Sequence, residues 1–200
     1  MHKKKVIFII ICLFITFKTN YAFTIEPDVF IQSTVNRAAA TLGGNYSKEE
    51  RIEKLKQIAE DTVDIEGISL YSLGSYRKQI SNERLIEYKK VFRSYFLKSF
   101  SSRLAEYTNP EIDVYDKKKL SEKYTIVNSL LKGTSERPEI KIDWRIYTKN
   151  PDKPLIRDLI IEGLSLARTQ KEEFNSVLQS NNNDINELFN TLEEFINNDQ

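Results

Sequence analysis

Asp158 and Glu162 are acidic side chains at either end of an apolar run, and they could form a catalytic carboxylate pair. The run is typical of a strand, on which residues four apart point to the same face about 13 Å from each other. Glycoside hydrolysis uses carboxyl groups that are only about 5 to 9.5 Å apart. The pair is therefore too widely spaced for that chemistry, and we expect Glu162 to make a structural hydrogen bond at a turn.

The residue types used most often in catalysis and metal binding are nearly missing. The sequence has one histidine, one cysteine and one methionine, which are His2, Cys12 and Met1. Histidine and cysteine supply most general bases, zinc sites and redox centres. We predict a protein that is not an enzyme, with no catalytic residue, metal or cofactor. A hydrolase that uses serine with lysine, or paired carboxylates, is the catalytic alternative.

The N-terminal 22 residues have the pattern of a secretory signal peptide. Three lysines, Lys3 to Lys5, precede an apolar run from Val6 to Phe17, and the small residue Ala22 follows. Lys18 ends the run before it reaches the roughly 20 apolar residues that span a bilayer. We predict cleavage after Ala22, which would leave residues 23–200 as a single domain.

The charge of this remaining domain excludes one class of partner. Residues 1–22 contain four of the 30 basic residues and none of the 29 acidic ones, so their removal changes the net charge from +1 to −3. Nucleic-acid binding depends on a surplus of positive charge that neutralises phosphates. We therefore expect no nucleic-acid partner.

Helical periodicity dominates the N-terminal half. A helix is predicted from Glu26 to Leu42, and a second begins after Ser47, where Glu50 completes a capping box. Ser81 is expected to cap the longest helix, Glu83 to Tyr107, whose apolar face is unusually aromatic.

After Asn109 and Pro110 the apolar period changes to two, which is typical of strands with one covered face. The covered residues are expected to be Ile112, Val114, Tyr124, Ile126, Leu130, Ile140, Ile142, Trp144 and Ile146. A more apolar strand, Leu155 to Ile161, follows, and two helices come after it. The predicted fold is α+β, with a twisted antiparallel sheet of about four strands wrapped by helices.

Three segments together resemble the MlaC family, also known as the toluene-tolerance family of periplasmic phospholipid-binding proteins. They are Ile58 to Asp64, Leu73 to Arg77, and Asp158 to Leu166, where an aspartate and an apolar run lead into Glu-Gly-Leu-Ser-Leu. The likeness runs from about Val35 to Phe195. Arg77, Pro154 and Lys171 depart from the residues usual in the family.

This resemblance implies a function and a location. Members of the family are periplasmic carriers that shuttle phospholipid between the inner and outer membranes and maintain outer-membrane lipid asymmetry. The implied partners are an inner-membrane ABC transporter with a lipid-binding MCE-domain subunit, for which the carrier is the auxiliary component, and an outer-membrane lipoprotein associated with porins. The carrier itself is expected to be a monomer whose only ligand is its phospholipid cargo.

The resemblance also implies a deep hydrophobic pocket for the acyl tails, and the aromatic helix and the alternating sheet offer the walls that such a pocket needs. The candidate lining residues are Leu70, Leu73, Tyr76, Tyr88, Phe92, Tyr95, Phe96, Ile142, Trp144, Ile160 and Leu164. Each of them could equally be an ordinary core residue. A protein-binding scaffold with a solid interior, or a relative that carries another lipid such as a hopanoid, remains an alternative.

Overall fold

The computed structural model describes residues 24–135 and 137–198, which contain six α-helices and a five-stranded sheet. The helices are α1 (Pro27–Gly43), α2 (Lys48–Thr62), α3 (Ile65–Leu73), α4 (Asn82–Leu104), α5 (Leu166–Ser180) and α6 (Ile185–Asn197). The strands are β1 (Ile112–Ser121), β2 (Tyr124–Leu131), β3 (Ile140–Tyr147), β4 (Leu155–Ile161) and β5 (Leu164–Ser165). The predicted signal peptide, residues 1–22, lies outside the described residues.

Side-chain caps mark where α2 and α4 begin. The Ser47 side chain accepts a hydrogen bond from the Glu50 backbone N–H (3.1 Å), and the Glu50 carboxylate accepts one from the Ser47 N–H (2.8 Å). Ser81 accepts from the backbone N–H of Arg84 at the start of α4 (3.3 Å). Because each bond satisfies a donor that has no partner within the helix, both predicted caps are confirmed.

The strands pair in chain order, and every neighbouring pair in the sheet is antiparallel. The predicted α+β fold with an antiparallel sheet is therefore confirmed. The short fifth strand was not predicted. It forms because Glu162 and Gly163 take positive φ angles of 49° and 83°, which fold the chain back on β4 within two residues. Glu162 also accepts a hydrogen bond from the backbone N–H of Lys141 (2.5 Å), as expected.

The prediction of which β2 residues face the core was wrong. Directly opposed residues of an antiparallel pair share a face of the sheet, and Val127 and Ser129 lie opposite Trp144 and Ile142. Thr125, Val127 and Ser129 are buried, whereas the expected residues, Tyr124, Ile126 and Leu130, are half-buried on the other face. The polar side chains of Thr125 and Ser129 thus lie on the core face of β2. Hydrophobicity alone therefore assigns the wrong face of this strand to the core.

Some helices pack directly on the core face of the sheet, and α4 packs mainly on other helices. Helix α1 packs closely on β1 and β2, and helices α3 and α5 pack on β4. Helix α4 packs mainly on α2, α3 and α6, and its large aromatic side chains fill the space between its backbone and the sheet. Among residues 24–135 and 137–198, no helix has the length and apolar character needed to cross a membrane.

Strand β1 forms an edge of the sheet, and several features close that edge. The Gln32 amide donates to the Ile112 carbonyl (3.4 Å) and accepts from the Val114 N–H (3.2 Å). The pairing of β1 with β2 is irregular between Val114 and Asp116 and again near the hairpin turn. Farther along, Lys117 binds Glu26 and Asp28 at the start of α1 (2.6 and 2.7 Å).

Candidate functional site

The aromatic face of α4 forms one wall of the apolar interior. Its rings are spaced by about one helical turn. The ring centres of Phe92 and Phe96 are 6.2 Å apart, and those of Phe96 and Phe100 are 5.6 Å apart. Phe174 of α5 meets Phe92 edge-on at 6.1 Å. Such offset and edge-to-face contacts pack large rings without polar partners, which makes this wall continuous and apolar.

The facing wall is the core side of β2 and β3, with Val127, Ile142, Trp144 and Ile146. The polar groups of Trp144 and Ser129 in this wall bond to partners within the wall itself. The Trp144 indole N–H donates to the Ser129 hydroxyl (2.8 Å), which in turn donates to the Ile142 carbonyl (3.0 Å). Among the described residues, no buried side-chain nitrogen or oxygen lacks a hydrogen-bond partner.

The tyrosines of the interior stay uncharged. Burial raises the pKa of the Tyr88 phenol, whose hydroxyl donates to the Ser69 carbonyl (3.1 Å). Burial, together with the nearby charge of Glu173, also raises the pKa of Tyr95, which donates to the Gln170 side chain (3.0 Å). Both groups are neutral at ordinary pH, so neither places a charge between the two walls.

Burial along both walls falls from one end of the interior to the other. At the closed end Tyr88, Phe92, Val127 and Ile146 are 0 to 1% exposed. A side chain with no accessible surface contacts no void large enough for a water molecule, so this end is filled by protein atoms.

At the opposite end the corresponding side chains are only half-buried. Phe96 and Phe100 follow Phe92 along α4, and Leu131 and Ile140 lie opposite each other at the ends of β2 and β3. All four pack against the main core without being enclosed by it. The apolar interior is therefore less completely covered at this end, which we call the open end.

A cleft of about 390 Å³ lies at the open end. It separates the connection between α4 and β1 from the loop between β2 and β3. Its lining residues are Glu106, Tyr107, Thr108, Asn109, Pro110, Glu111, Leu131, Lys132, Gly133, Thr134, Arg137, Pro138 and Ile140. Because Leu131 and Ile140 line the cleft and also pack against the main core, the floor of the cleft borders the apolar interior.

A second cleft of about 330 Å³ lies on the other face of the sheet. It contains Arg145 and Arg157, and each of them faces a carboxylate. Arg157 binds Asp64 (2.6 Å), and Arg145 lies 3.7 Å from Asp158. This cleft does not open on the aromatic wall.

The structure brings most of the predicted lining residues together. Leu73, Tyr88, Phe92, Ile142 and Trp144 lie in the main core, and Tyr76, Tyr95 and Phe96 pack against it. Eight of the eleven thus belong to one apolar cluster. None of the eleven lines either of the two clefts.

The other three predicted residues lie apart from this cluster. Leu70 is half-buried, and Ile160 lies opposite Asp143, on the face of the sheet away from Trp144. Leu164 is 59% exposed at the edge of the sheet. An irregularity where β3 pairs with β4 shifts the alternation after Ile156, so that Leu159, opposite Trp144, packs on the core and Ile160 does not.

The residues of the open end were missed by sequence reasoning. Leu131 and Ile140 are the last and first residues of their strands, and Tyr107 and Arg137 lie in connecting segments. The sequence pattern identifies a strand but does not show where helix cover ends along it. The proline and glycine residues around Arg137 were the available signal, since they mark a loop at that end of the sheet.

The residues weighed for catalysis have structural roles or lie on the surface. Asp158 is 4% exposed and accepts from the Ser165 hydroxyl (2.7 Å) and the Ala167 N–H (3.0 Å), which joins β4 to the start of α5. Ser75 and Lys78 have the spacing of a serine–lysine pair, but both are exposed. Within the described ranges, no three histidine, cysteine, aspartate or glutamate side chains are grouped to hold a metal.

Comparison with known proteins adds the family. The sequence model of the MlaC protein family matches residues 32–194, which is most of the chain. The chain belongs to the MlaC family. Curated protein sequences give no significant match to this MlaC protein.

The chain is also similar in fold to a solved structure, the phospholipid-binding protein of Ralstonia solanacearum in complex with a phospholipid. The match has a TM-score of 0.72 and 18% sequence identity, and it covers 86% of this chain and 97% of the other. The two proteins thus share a fold over nearly their whole described length.

Two departures of this MlaC protein from the usual family residues have local roles. Arg77 donates to the carbonyls of Leu70 and Gly74 (2.9 and 2.8 Å) and so ties the end of α3 to the turn after it. Lys171 places its ammonium 5.4 Å from the ring centre of Tyr71. Both cations have partners within the protein and lie away from the open end.

Proposed function

We propose that this protein is a periplasmic phospholipid carrier that shuttles lipid between the inner and outer membranes. The observation that carries the proposal is the uncharged, aromatic interior between α4 and the sheet, whose side chains are fully buried at one end and only half-buried at the other. Membership of the MlaC family supports it.

The energetics of lipid transfer explain why such a carrier is needed. Exposing about 30 methylene groups of two acyl tails to water costs on the order of 24 kcal/mol, at about 0.8 kcal/mol per group. A protein interior that substitutes for the bilayer removes most of this cost. The carrier then needs no chemistry of its own, and its partners set the direction of transfer.

The tails are proposed to lie between α4 and the core face of β2 and β3. This space is filled by aromatic rings, and Phe96 and Phe100 nearest the open end are the least enclosed. Side chains in this position can change rotamer, and α4 can move from the sheet without breaking a strand pairing. The acyl chains would replace ring-to-ring contacts with chain-to-ring contacts of similar strength.

The cellular setting of the proposal follows from the family and from the N-terminal sequence. Residues 1–22 are proposed to be a cleaved signal peptide that exports residues 23–200 as one lipid-binding domain. The proposed partners are an inner-membrane ABC transporter complex with an MCE-domain subunit and an outer-membrane lipoprotein associated with porins. Together they would maintain the lipid asymmetry of the outer membrane.

The direct test is lipid extraction and mass spectrometry of protein expressed from the full-length gene in a Gram-negative host. We expect nearly one diacyl phospholipid per protein. Replacing Phe96 with aspartate puts a charge at the accessible end of the apolar wall and is expected to abolish this cargo. Phe96 is preferred to Phe92, because Phe92 is 1% exposed and a charge there would unfold the protein.

The matched control is Ile86→Asp, which places the same charge on the same helix at a side chain that is 67% exposed. It should keep its lipid, and both variants should melt as folded proteins. A folded wild-type protein that emerges empty and takes up no phospholipid from vesicles would contradict the proposal and favour a scaffolding protein. A different extracted lipid, such as a hopanoid, would identify a different cargo.

A further inference from the structure

The cleft at the open end is held in shape by both of its walls. Asn109 takes a positive φ of 46°, and its side chain rests against Gly43 at the end of α1. In the opposite wall the chain passes so closely at Gly133 that an added Cβ would lie 2.9 Å from the Glu139 nitrogen, and Thr134 N–H donates to the Arg137 carbonyl (2.8 Å). These contacts position the side chains at the rim.

One cation at the rim is directed across the cleft. The Arg137 guanidinium carbon lies 5.3 Å from the ring centre of Tyr107, which belongs to the opposite wall. An arginine held over an aromatic face keeps its charge and most of its hydrogen-bond donors available. Arg137 can therefore bind a phosphate that enters the cleft.

One carboxylate at the rim is available for a cation. Glu111 and Asp113 both pair with the Lys132 ammonium (3.1 and 3.2 Å). Glu106, next to Tyr107, lines the cleft, is exposed and makes no ion pair or hydrogen bond with any described residue. Glu106 and Arg137 thus place one negative and one positive group on opposite walls of a cleft whose floor borders the apolar core.

We propose that this cleft receives the lipid headgroup and prefers a zwitterionic one of the phosphoethanolamine type. Arg137 binds the phosphate, and Glu106 binds the ammonium, while the glycerol and the first tail carbons pass Leu131 and Ile140. A phosphoglycerol headgroup has the phosphate but no ammonium, so it leaves Glu106 without a partner. This inference rests on the proposed function, because it assumes that the tails occupy the interior behind the cleft.

The test is competitive loading from vesicles that contain equal amounts of phosphatidylethanolamine and phosphatidylglycerol with identical tails. Lipid bound to the reisolated protein is extracted and quantified by mass spectrometry. We expect phosphatidylethanolamine to be enriched about two- to fivefold, the range that an exposed ion pair supplies. Glu106→Gln should remove this enrichment, and Arg137→Gln should lower retention of both lipids because both carry the phosphate.

Two charges outside the cleft provide matched controls. Glu194→Gln on α6 and Arg168→Gln on α5 neutralise exposed side chains of the same types and should retain both the cargo and the enrichment. Wild-type protein that binds both lipids in their vesicle ratio, or Glu106→Gln protein that keeps the enrichment, would overturn the headgroup proposal alone. Wild-type protein that binds neither lipid would overturn it together with the proposed function.

Discussion

Trp144 and Ser129 place a polar contact inside an apolar wall, which makes each of them dependent on the other. The Ser129 hydroxyl is fully buried, and Trp144 is 8% exposed. A buried donor that loses its partner costs more than the hydrogen bond contributes, whereas removing both partners is nearly neutral. The bond therefore fixes the orientation of the indole more than it adds net stability.

We expect Ser129→Ala to lower the free energy of unfolding by about 1 to 3 kcal/mol, because the indole N–H is then buried without an acceptor. Chemical denaturation of Ser129→Ala, Trp144→Phe and the double variant would measure the coupling. The free energy of unfolding of the double variant should fall by clearly less than the sum of the decreases in the two single variants. Strict additivity would show that the contact at 2.8 Å contributes nothing.

Lys117 gives the protein a pH-dependent contact. Hydrogen bonding to Lys117 lowers the pKa of Asp28 from its ordinary value of 3.8, although partial burial opposes this, and the same contacts with Asp28 and Glu26 raise the pKa of Lys117 from 10.5. A lowered carboxyl pKa stabilises the fold above the unfolded-state value, and the stabilisation is lost as pH falls through the folded-state value. A raised lysine pKa stabilises the fold at pH values below the unfolded-state pKa. This stabilisation is lost as pH rises through the folded-state pKa.

Lys117→Gln should therefore lower the free energy of unfolding near neutral pH by about 0.2 to 1 kcal/mol, the range for exposed pairs. The difference from wild type should vanish when the carboxylates are protonated in acid, and it should shrink in high salt. Lys118→Gln, an exposed lysine next to it, is the control. A difference that stays constant down to acid pH would contradict the assignment.

At the scale of elements, Asp64 connects a helix start to a strand. Its side chain accepts from the Gly67 N–H (2.8 Å) at the first turn of α3 and from Arg157 of β4 (2.6 Å). The backbone N–H of Asp64 also donates to the Ile156 carbonyl (2.9 Å). One residue therefore caps α3 and fixes it against the edge of the sheet.

Asp64→Ala is expected to destabilise the protein by about 2 kcal/mol, the upper range for a helix cap, because Arg157 also loses its carboxylate partner and keeps only Tyr124 as a side-chain acceptor. Ser81→Ala at the start of α4 removes a cap without an ion pair and should cost about half as much. Asp64→Asn should fall between them, since it keeps the cap and loses the charge. Thermal and chemical unfolding of the three variants would measure this order, and equal losses for Asp64→Ala and Ser81→Ala would argue against the connection to β4.

The elements were largely predictable because their signals are local. The caps at Ser47 and Ser81, the aromatic period of α4 and the alternation of β3 each depend on residues a few positions apart. The core face of β2 was not predictable in this way, because the hydroxyl of the buried Ser129 bonds to Trp144 and Ile142, which lie on the next strand. The same holds for Ile160, whose side of the sheet depends on an irregular pairing with β3.

At the scale of the whole molecule, the main result is the direction in which the interior opens. The sequence indicated both walls, since Phe92, Phe96, Ile142 and Trp144 were predicted members of the site. It could not indicate that Tyr88 and Ile146 are sealed while Phe96 and Ile140 are not, because that difference depends on how far the helices extend over the sheet. The cleft residues Tyr107 and Arg137 were missed for the same reason.

Trp144 offers a probe of where the tails bind, because it is the only tryptophan in the sequence and lies in the proposed tail site. Loading with phospholipid that carries bromine on its acyl chains should strongly quench Trp144 fluorescence, since bromine quenches on contact. The same lipid without bromine should leave the emission intensity nearly unchanged. Bound brominated lipid without quenching would place the tails elsewhere.

The closed edge of β1 bears on how two copies of the protein behave when they meet. An unprotected edge strand is a template on which another chain can add its own strand, and this is a common route to aggregation. The Gln32 amide occupies the backbone groups of Ile112 and Val114, and the irregular pairing beyond Val114 distorts the rest of the edge. Two copies that collide should therefore not pair their β1 strands into one continuous sheet, and the protein should stay monomeric with its interior enclosed by a single chain.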